Sequence, residues 1–207
     1  MKKYLSPIFW GACFLIFTIL VKTVDVQPVG AEGSLIGFAS LNTTVFSFLG
    51  QNHICYMISE YFCLGCAAFL ALFFAISGLI QLIKTKSLLK VDHEILMTGI
   101  IYAIVIILYI LFEKLAINYR PVVLDEGLEA SFPSTHTMVI LSIAGTAIPV
   151  AGKYFKHPLI IKIFSIAVMW LTIICRLLSG VHWFTDIIGG VLISLCLISL
   201  FKTLVRK

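Results

Sequence analysis

The sequence predicts an all-α integral-membrane bundle of six transmembrane helices. Three observations lead there. The chain of 207 residues is 60% apolar and 12% charged, about half the charge of a typical soluble domain. Its mean hydropathy is +1.08, and a chain of this size has no core large enough to hide that much apolar surface from water. Its apolar runs approach the ~20 residues that a helix needs to cross a bilayer. They are continuous, whereas barrel strands alternate with period two. A soluble globular domain, a disordered chain and a nucleic-acid module are excluded.

The spans fall at about 5–24, 62–83, 95–113, 134–152, 159–178 and 183–201. The first begins with Lys2 and Lys3, as a signal peptide would, but it is long enough to span and no small-x-small cleavage site follows closely. It is read as a helix. Residues 25–61 form a long outer loop. Within it Leu35, Phe38, Leu41, Val45 and Phe48 recur at helical spacing between Ser34 and Gly50, a natural N-cap and C-cap. This predicts a helix lying in the outer interface beside lipid headgroups, with a packed lid as the alternative. Asn42-Thr43-Thr44 fits a glycosylation acceptor, a pattern common by chance. The other outer connections are about 114–136 and a tight turn at Ser179-Gly180. No repeat or second domain interrupts residues 1–207, which are read as one domain. Five of the six cysteines lie in or at the end of apolar runs and read as small apolar side chains.

Charge sets the orientation. Six spans place both termini on one face, and that face collects 11 Lys and Arg against 4 on the other. Basic residues favour the cytoplasm, so both termini are expected there. The basic balance then needs no nucleic acid to explain it.

Ionisable residues in or beside apolar spans cost roughly 2.5–3.5 kcal/mol each, and they usually mark function. Here they share one level, at the outer ends of helices. Glu113 and Lys114 end the third span, and Arg120-Pro121 follows. Pro133-Ser134-Thr135-His136 opens the fourth, Arg176 ends the fifth, and His182 and Asp186 open the sixth. His182 and Asp186 are four apart, which puts them on one helix face. A carboxylate there can take the Nδ1 proton and leave Nε2 as a lone pair, the arrangement of an oriented nucleophile or base. A plain stabilising pair is the simpler alternative. Arg120 and Arg176 are planar donors suited to phosphate oxygens, or else snorkelling anchors. Ser134 reads as an N-cap whose helix presents backbone N–H groups to an anion.

Together these residues resemble the type 2 phosphatidic acid phosphatase family, whose motifs are K-x6-R-P, P-S-G-H and S-R-x5-H-x3-D. The sequence has Lys114 through Arg120-Pro121, then Pro133-Ser134-Thr135-His136, then Cys175-Arg176 followed by His182 and Asp186 at the family spacing. It departs in three places. Glu113 takes the family's lysine position, with Lys114 one residue late. Thr135 replaces Gly, and Cys175 replaces Ser.

The resemblance implies a six-helix membrane enzyme that hydrolyses a lipid phosphate or diphosphate through a phosphohistidine. His182 would be the nucleophile and Asp186 would fix its tautomer. His136 would protonate the leaving oxygen and then activate water. Arg120, Arg176, Ser134 and Thr135 would hold the phosphate, joined by Lys114 if the end of its helix unwinds. No metal or other cofactor is implied. His53, His93 and His157 lie elsewhere and read as surface or interface residues. The site would face outside at headgroup depth. Candidate substrates are undecaprenyl diphosphate, phosphatidic acid and phosphatidylglycerol phosphate. The acidic run Asp125, Glu126 and Glu129 would discourage highly anionic ones, unless it is simply a solvated loop. The oligomeric state is left open. The competing readings are a lipid-phosphate-binding protein without catalysis, and a transporter or proton relay. A transport site would lie near the midplane, whereas these residues cluster at one face.

Overall fold

The computed structural model describes residues 2–123 and 127–206. Asp125 and Glu126, from the acidic run, lie outside the described residues. Among the described residues, six helices are long and apolar enough to cross a membrane: α1 (Leu5–Thr23), α3 (His53–Thr85), α4 (His93–Leu115), α5 (Thr135–Tyr154), α6 (Pro158–Leu178) and α7 (Phe184–Val205). A shorter helix, α2 (Ala39–Leu49), lies in the first long connection. The described residues contain no strand, only isolated bridges such as Gln27 with Ile36 and Tyr119 with Ala130.

α5 is the central helix. Its most apolar stretch is 67% buried, against 17% for α1 at the periphery. It packs against α3, α4, α6 and α7, while α1 packs on α7. Leu70, Phe74, Ile101, Val105, Ala144, Leu197 and Phe201 form a core in the half of the bundle away from the motif residues. A second core of Phe14, Val21, Phe112, Phe132, Met138 and Ile193 lies beneath them. At the far end Lys153 pairs with Glu94 at 2.7 Å and Asp92 at 3.3 Å.

α5 and α7 touch through small residues. A Cβ on Gly190 would lie 2.8 Å from Thr137 Cβ and 2.9 Å from the Ser134 carbonyl. The Ser134 N–H donates to the Asp186 carbonyl across this contact (3.0 Å). Two motif segments are thereby held backbone to backbone.

Two elements differ from the sequence reading. The first is the helix expected from Ser34. It begins at Ala39, because residues 25–38 fold back instead. Gln27 and Ile36 exchange backbone hydrogen bonds (3.1 and 2.9 Å), Ile36 is fully buried, and Phe38 is left-handed at φ +50°. The cap comes from another segment, since Asp25 Oδ2 accepts the Ser40 N–H at 2.7 Å. That amide holds the Asp25 carboxyl below its usual range. Gly50 ends the helix as expected, at φ +65°. Asn42 is fully buried; its amide donates to the Gly37 carbonyl and to Thr185 Oγ1, both at 2.9 Å, and its Oδ1 accepts the Thr185 N–H at 3.2 Å. The glycosylation reading fails, because this side chain ties α2 to the start of α7.

The second is the start of the second span. It lies at His53, nine residues before the expected position, and residues Ile58–Cys63 form a π-helical turn within it. The added segment packs on α6, with the Asn52 N–H donating to the Leu178 carbonyl (3.0 Å). Tertiary contact therefore extends this helix past its apolar run.

Gly190→Ala is expected to lower stability by about 1–3 kcal/mol through overpacking, read as a lower Tm of the purified protein. A Tm equal to the unsubstituted protein's would show that the α5–α7 contact has slack.

Candidate active site

Among the described residues, four helices, one connection and one turn bring side chains to one end of the bundle. α3 supplies Glu60 and α5 supplies His136 in its first turn. α6 supplies Arg176 in its last turn, and α7 supplies Asp186 in its first. The connection between α4 and α5 supplies Arg120 and Glu129, and the turn before α7 supplies His182. A cleft of about 680 Å³ leads to them, lined by Tyr56, Glu60, Arg120, Glu129, Ser179 and Val181 among others.

Arg176 is fully buried. Its Nη1 meets Glu60 Oε2 at 2.9 Å, while Nε and Nη2 are buried without a hydrogen-bond partner among the described residues. Arg120 Nη2 meets Glu129 Oε2 at 2.8 Å, and its Nε is likewise buried and unpaired among the described residues. The bridge between Tyr119 and Ala130 sets that pair, with the Arg120 N–H donating to the Glu129 carbonyl (3.1 Å). Glu129 is thus a partner of Arg120 and not part of a free acidic run.

His136 Nε2 lies 3.0 Å from Glu60 Oε1. Ser134 caps α5 as expected; its Oγ accepts from Thr137 Oγ1 at 2.9 Å and from the Thr137 N–H at 3.4 Å. Thr135 is buried and has Glu113 beside it. Glu113 also sits in the field of Arg120. Lys114 is exposed and does not line the cleft, so the structure does not bring it to the other motif residues. The physical reason is helical phase: one residue turns a side chain by about 100°, and here that places Glu113 nearer Arg120.

His182 and Asp186 are both buried, but they do not share a helix face. α7 begins at Phe184, and His182 stands in the turn before it. Asp186 is the third residue of the helix, and its Oδ2 accepts the Trp183 N–H at 2.9 Å. His182 Nδ1 lies 3.7 Å from that same oxygen, longer than a hydrogen bond. Ser131 and Asn118 approach the Asp186 carboxylate. Trp183 Nε1 donates to the Tyr119 carbonyl at 2.8 Å, which ties the turn to the Arg120 segment. Burial, then the fields of Arg176 and Arg120, hold the His182 imidazole well below its usual pKa. It is therefore neutral at pH 7.

Glu60 is the residue that the sequence reading missed. An acid two residues before an apolar run, at the same level as the motif residues, was the available signal. Its partners lie 76 and 116 residues further along the chain, so local pattern could not name them. His53, read as lying elsewhere, is exposed and lines the outer part of the cleft.

The depressed pKa of His182 has a consequence for stability. Below the ordinary imidazole value of 6.5 the unfolded chain binds a proton that the folded chain refuses, so stability falls with falling pH there. The Tm of the purified protein is expected to drop between pH 7 and pH 5, and His182→Gln to flatten that slope. An equal slope in both proteins would contradict this.

The structure resembles the crystal structure of a transmembrane PAP2 type phosphatidylglycerolphosphate phosphatase from Bacillus subtilis. The TM-score is 0.66, with 95% of this chain and 94% of that one covered and 20% sequence identity. At that identity the likeness concerns the fold. Sphingosine-1-phosphate phosphatase 2 of Mus musculus is 36% identical over 88 residues, which is 40% of this chain and 25% of that protein. The same enzyme of Homo sapiens is 38% identical over 74 residues, 35% and 18% of the two chains. The matches therefore span a quarter or less of the length of these relatives. The PAP2 superfamily model matches residues 57–207, nearly three-quarters of the chain including every motif described above, and the chain belongs to that superfamily.

Proposed function

We propose that this protein is a membrane lipid phosphatase, acting as a single domain, that transfers the phosphoryl group of a lipid phosphate or diphosphate to His182 and then to water. The buried guanidinium of Arg176, with two unpaired nitrogens beside two histidines, carries this reading. A buried cation with open donors is a costly feature, and an equatorial phosphate oxygen satisfies it. The Arg120 Nε and the Ser134 hydroxyl supply further donors.

In the first step the neutral His182 Nε2 attacks phosphorus. The bond to the leaving oxygen breaks, and that oxygen takes a proton from His136. In the second step His136 takes a proton from water as the water oxygen attacks phosphorus and the bond to His182 Nε2 breaks. Arg120 and Arg176 hold the oxygens that gain charge in both transition states, where phosphoryl transfer depends on positioning and electrostatics. Asp186 holds the His182 ring in orientation. Neither step calls on a metal ion.

The distribution of Lys and Arg supports cytoplasmic termini and a site facing outside, where a lipid anchored by its tails presents its headgroup. α2 then covers α7 at that face. The lipid substrates named for the relatives and the structural neighbour support a phosphomonoester on a lipid; phosphatidic acid and phosphatidylglycerol phosphate are the monoesters to test, and undecaprenyl diphosphate is the diphosphate.

One observation favours a second reading. Glu113 stands where the family has lysine, and it lies in the field of Arg120. A site weakened in this way would bind a lipid phosphate without turning it over.

Purified protein in mixed micelles is expected to release phosphate from at least one of these lipids with EDTA present, and His182→Ala to lose at least ~10³-fold in kcat. Equal release by wild type and His182→Ala would refute the mechanism. Binding without release across the panel would favour the second reading.

A further inference from the structure

We infer that Glu60 is a positioning residue for His136: its carboxylate accepts the Nε2 proton, so that Nδ1 is the atom that serves the leaving oxygen. The inference rests on the hydrolysis proposed above, and it assigns a role to a residue outside the three motifs.

Glu60 joins two of the groups that the reaction uses. Oε1 lies 3.0 Å from His136 Nε2 and Oε2 lies 2.9 Å from Arg176 Nη1. A carboxylate accepts and never donates when ionised, and Arg176 beside it favours the ionised form. The 3.0 Å contact therefore requires hydrogen on Nε2. His136 Nδ1 is buried and has no hydrogen-bond partner among the described residues, which leaves it as the ring atom available for proton transfer. When the ring is charged, Nδ1–H donates to the leaving oxygen as the P–O bond breaks. The ring is then neutral with its proton on Nε2, and Nδ1 carries the lone pair that takes a proton from water in the second step. Without Glu60 the neutral ring can settle with hydrogen on Nδ1, which is the wrong tautomer for that step.

The local fold supports this use. Glu60 sits in the π-helical turn Ile58–Cys63, and such turns are rare and frequent at functional sites. Ser59 is buried beside it, and its Oγ bonds back to the Cys55 and Tyr56 carbonyls (both 3.0 Å) and lies 3.5 Å from Arg176 Nη1. Arg176 clamps the second carboxylate oxygen, so the first is held at the ring. The two histidines then match in plan: each has one carboxylate, His182 with Asp186 and His136 with Glu60.

The test uses the full chain with histidine labelled by ¹⁵N, and the variants Glu60→Ala and Glu60→Gln. The amide oxygen of the glutamine variant still accepts from Nε2, so this conservative change separates the tautomer from the fold. Nitrogen shifts, assigned with His136→Asn, are expected to show the Nε2–H tautomer of His136 in wild type and Glu60→Gln, and a mixture in Glu60→Ala. On phosphatidic acid, whose alkoxide leaving group needs a proton, Glu60→Ala is expected to lose ~10²-fold in kcat. Glu60→Gln is expected to recover part of that loss. First-turnover release of p-nitrophenolate from p-nitrophenyl phosphate needs no such proton and is expected to fall less than ~10-fold. An unchanged tautomer in Glu60→Ala, or equal losses on both substrates, would overturn the inference. A wild-type protein that releases phosphate from neither substrate would sink the hydrolase reading instead, and the tautomer comparison would still decide the role of Glu60.

Discussion

The buried guanidinium of Arg176 is the constraint on which the functional end of the bundle depends. A charge with no exposure among helix ends is tolerable only when paired and hydrogen-bonded, and Arg176 obtains this from Glu60 and Ser59 on a helix more than a hundred residues away. α3 must therefore continue past its apolar run to deliver them. That extension packs on α6 and is secured by the Asn52 N–H on the Leu178 carbonyl. The same carboxylate reaches His136, so one residue of α3 ties α5 to α6 at the level where the chemistry is proposed.

The second organising contact is the approach of α5 and α7. Gly190 lets the backbones meet so closely that the Ser134 N–H bonds the Asp186 carbonyl. This couples the helix start that carries His136 to the one that carries Asp186. The turn holding His182 is fixed from outside the pair, by Trp183 on the Tyr119 carbonyl and by Asn42 on Thr185. α2 thus acts as a brace on α7, whatever its relation to the lipid surface.

The electrostatics are balanced in pairs. Arg120 has Glu129 and Arg176 has Glu60, with Glu113 close to Arg120. Each guanidinium is held in place by one carboxylate and keeps other nitrogens open. Such pairing fixes donor geometry before a ligand arrives, the kind of preorganisation on which electrostatic stabilisation depends. It also moderates the positive field at this end of the bundle.

Class and most of the plan are legible in the residues alone. Twenty or so apolar residues in a row have one stable solution in lipid, so six spans follow from length and composition. The caps at Ser134 and Gly50 and the turn at Gly180 are legible because each depends on one residue's backbone chemistry. His136, Arg176, His182 and Asp186 are legible because ionisable groups are out of place beside apolar runs. The rest comes from contacts that form only when the helices assemble. The start of α2 depends on Asp25 reaching forward to Ser40, the length of α3 depends on α6, and Glu60 has meaning only through two partners remote in sequence. Lys114 and Glu113 differ by one step of a helix, and which of them enters the field of Arg120 is set by how α4 packs. Local pattern reports what a segment does in water or lipid; it does not report which distant side chain will meet it once the bundle closes.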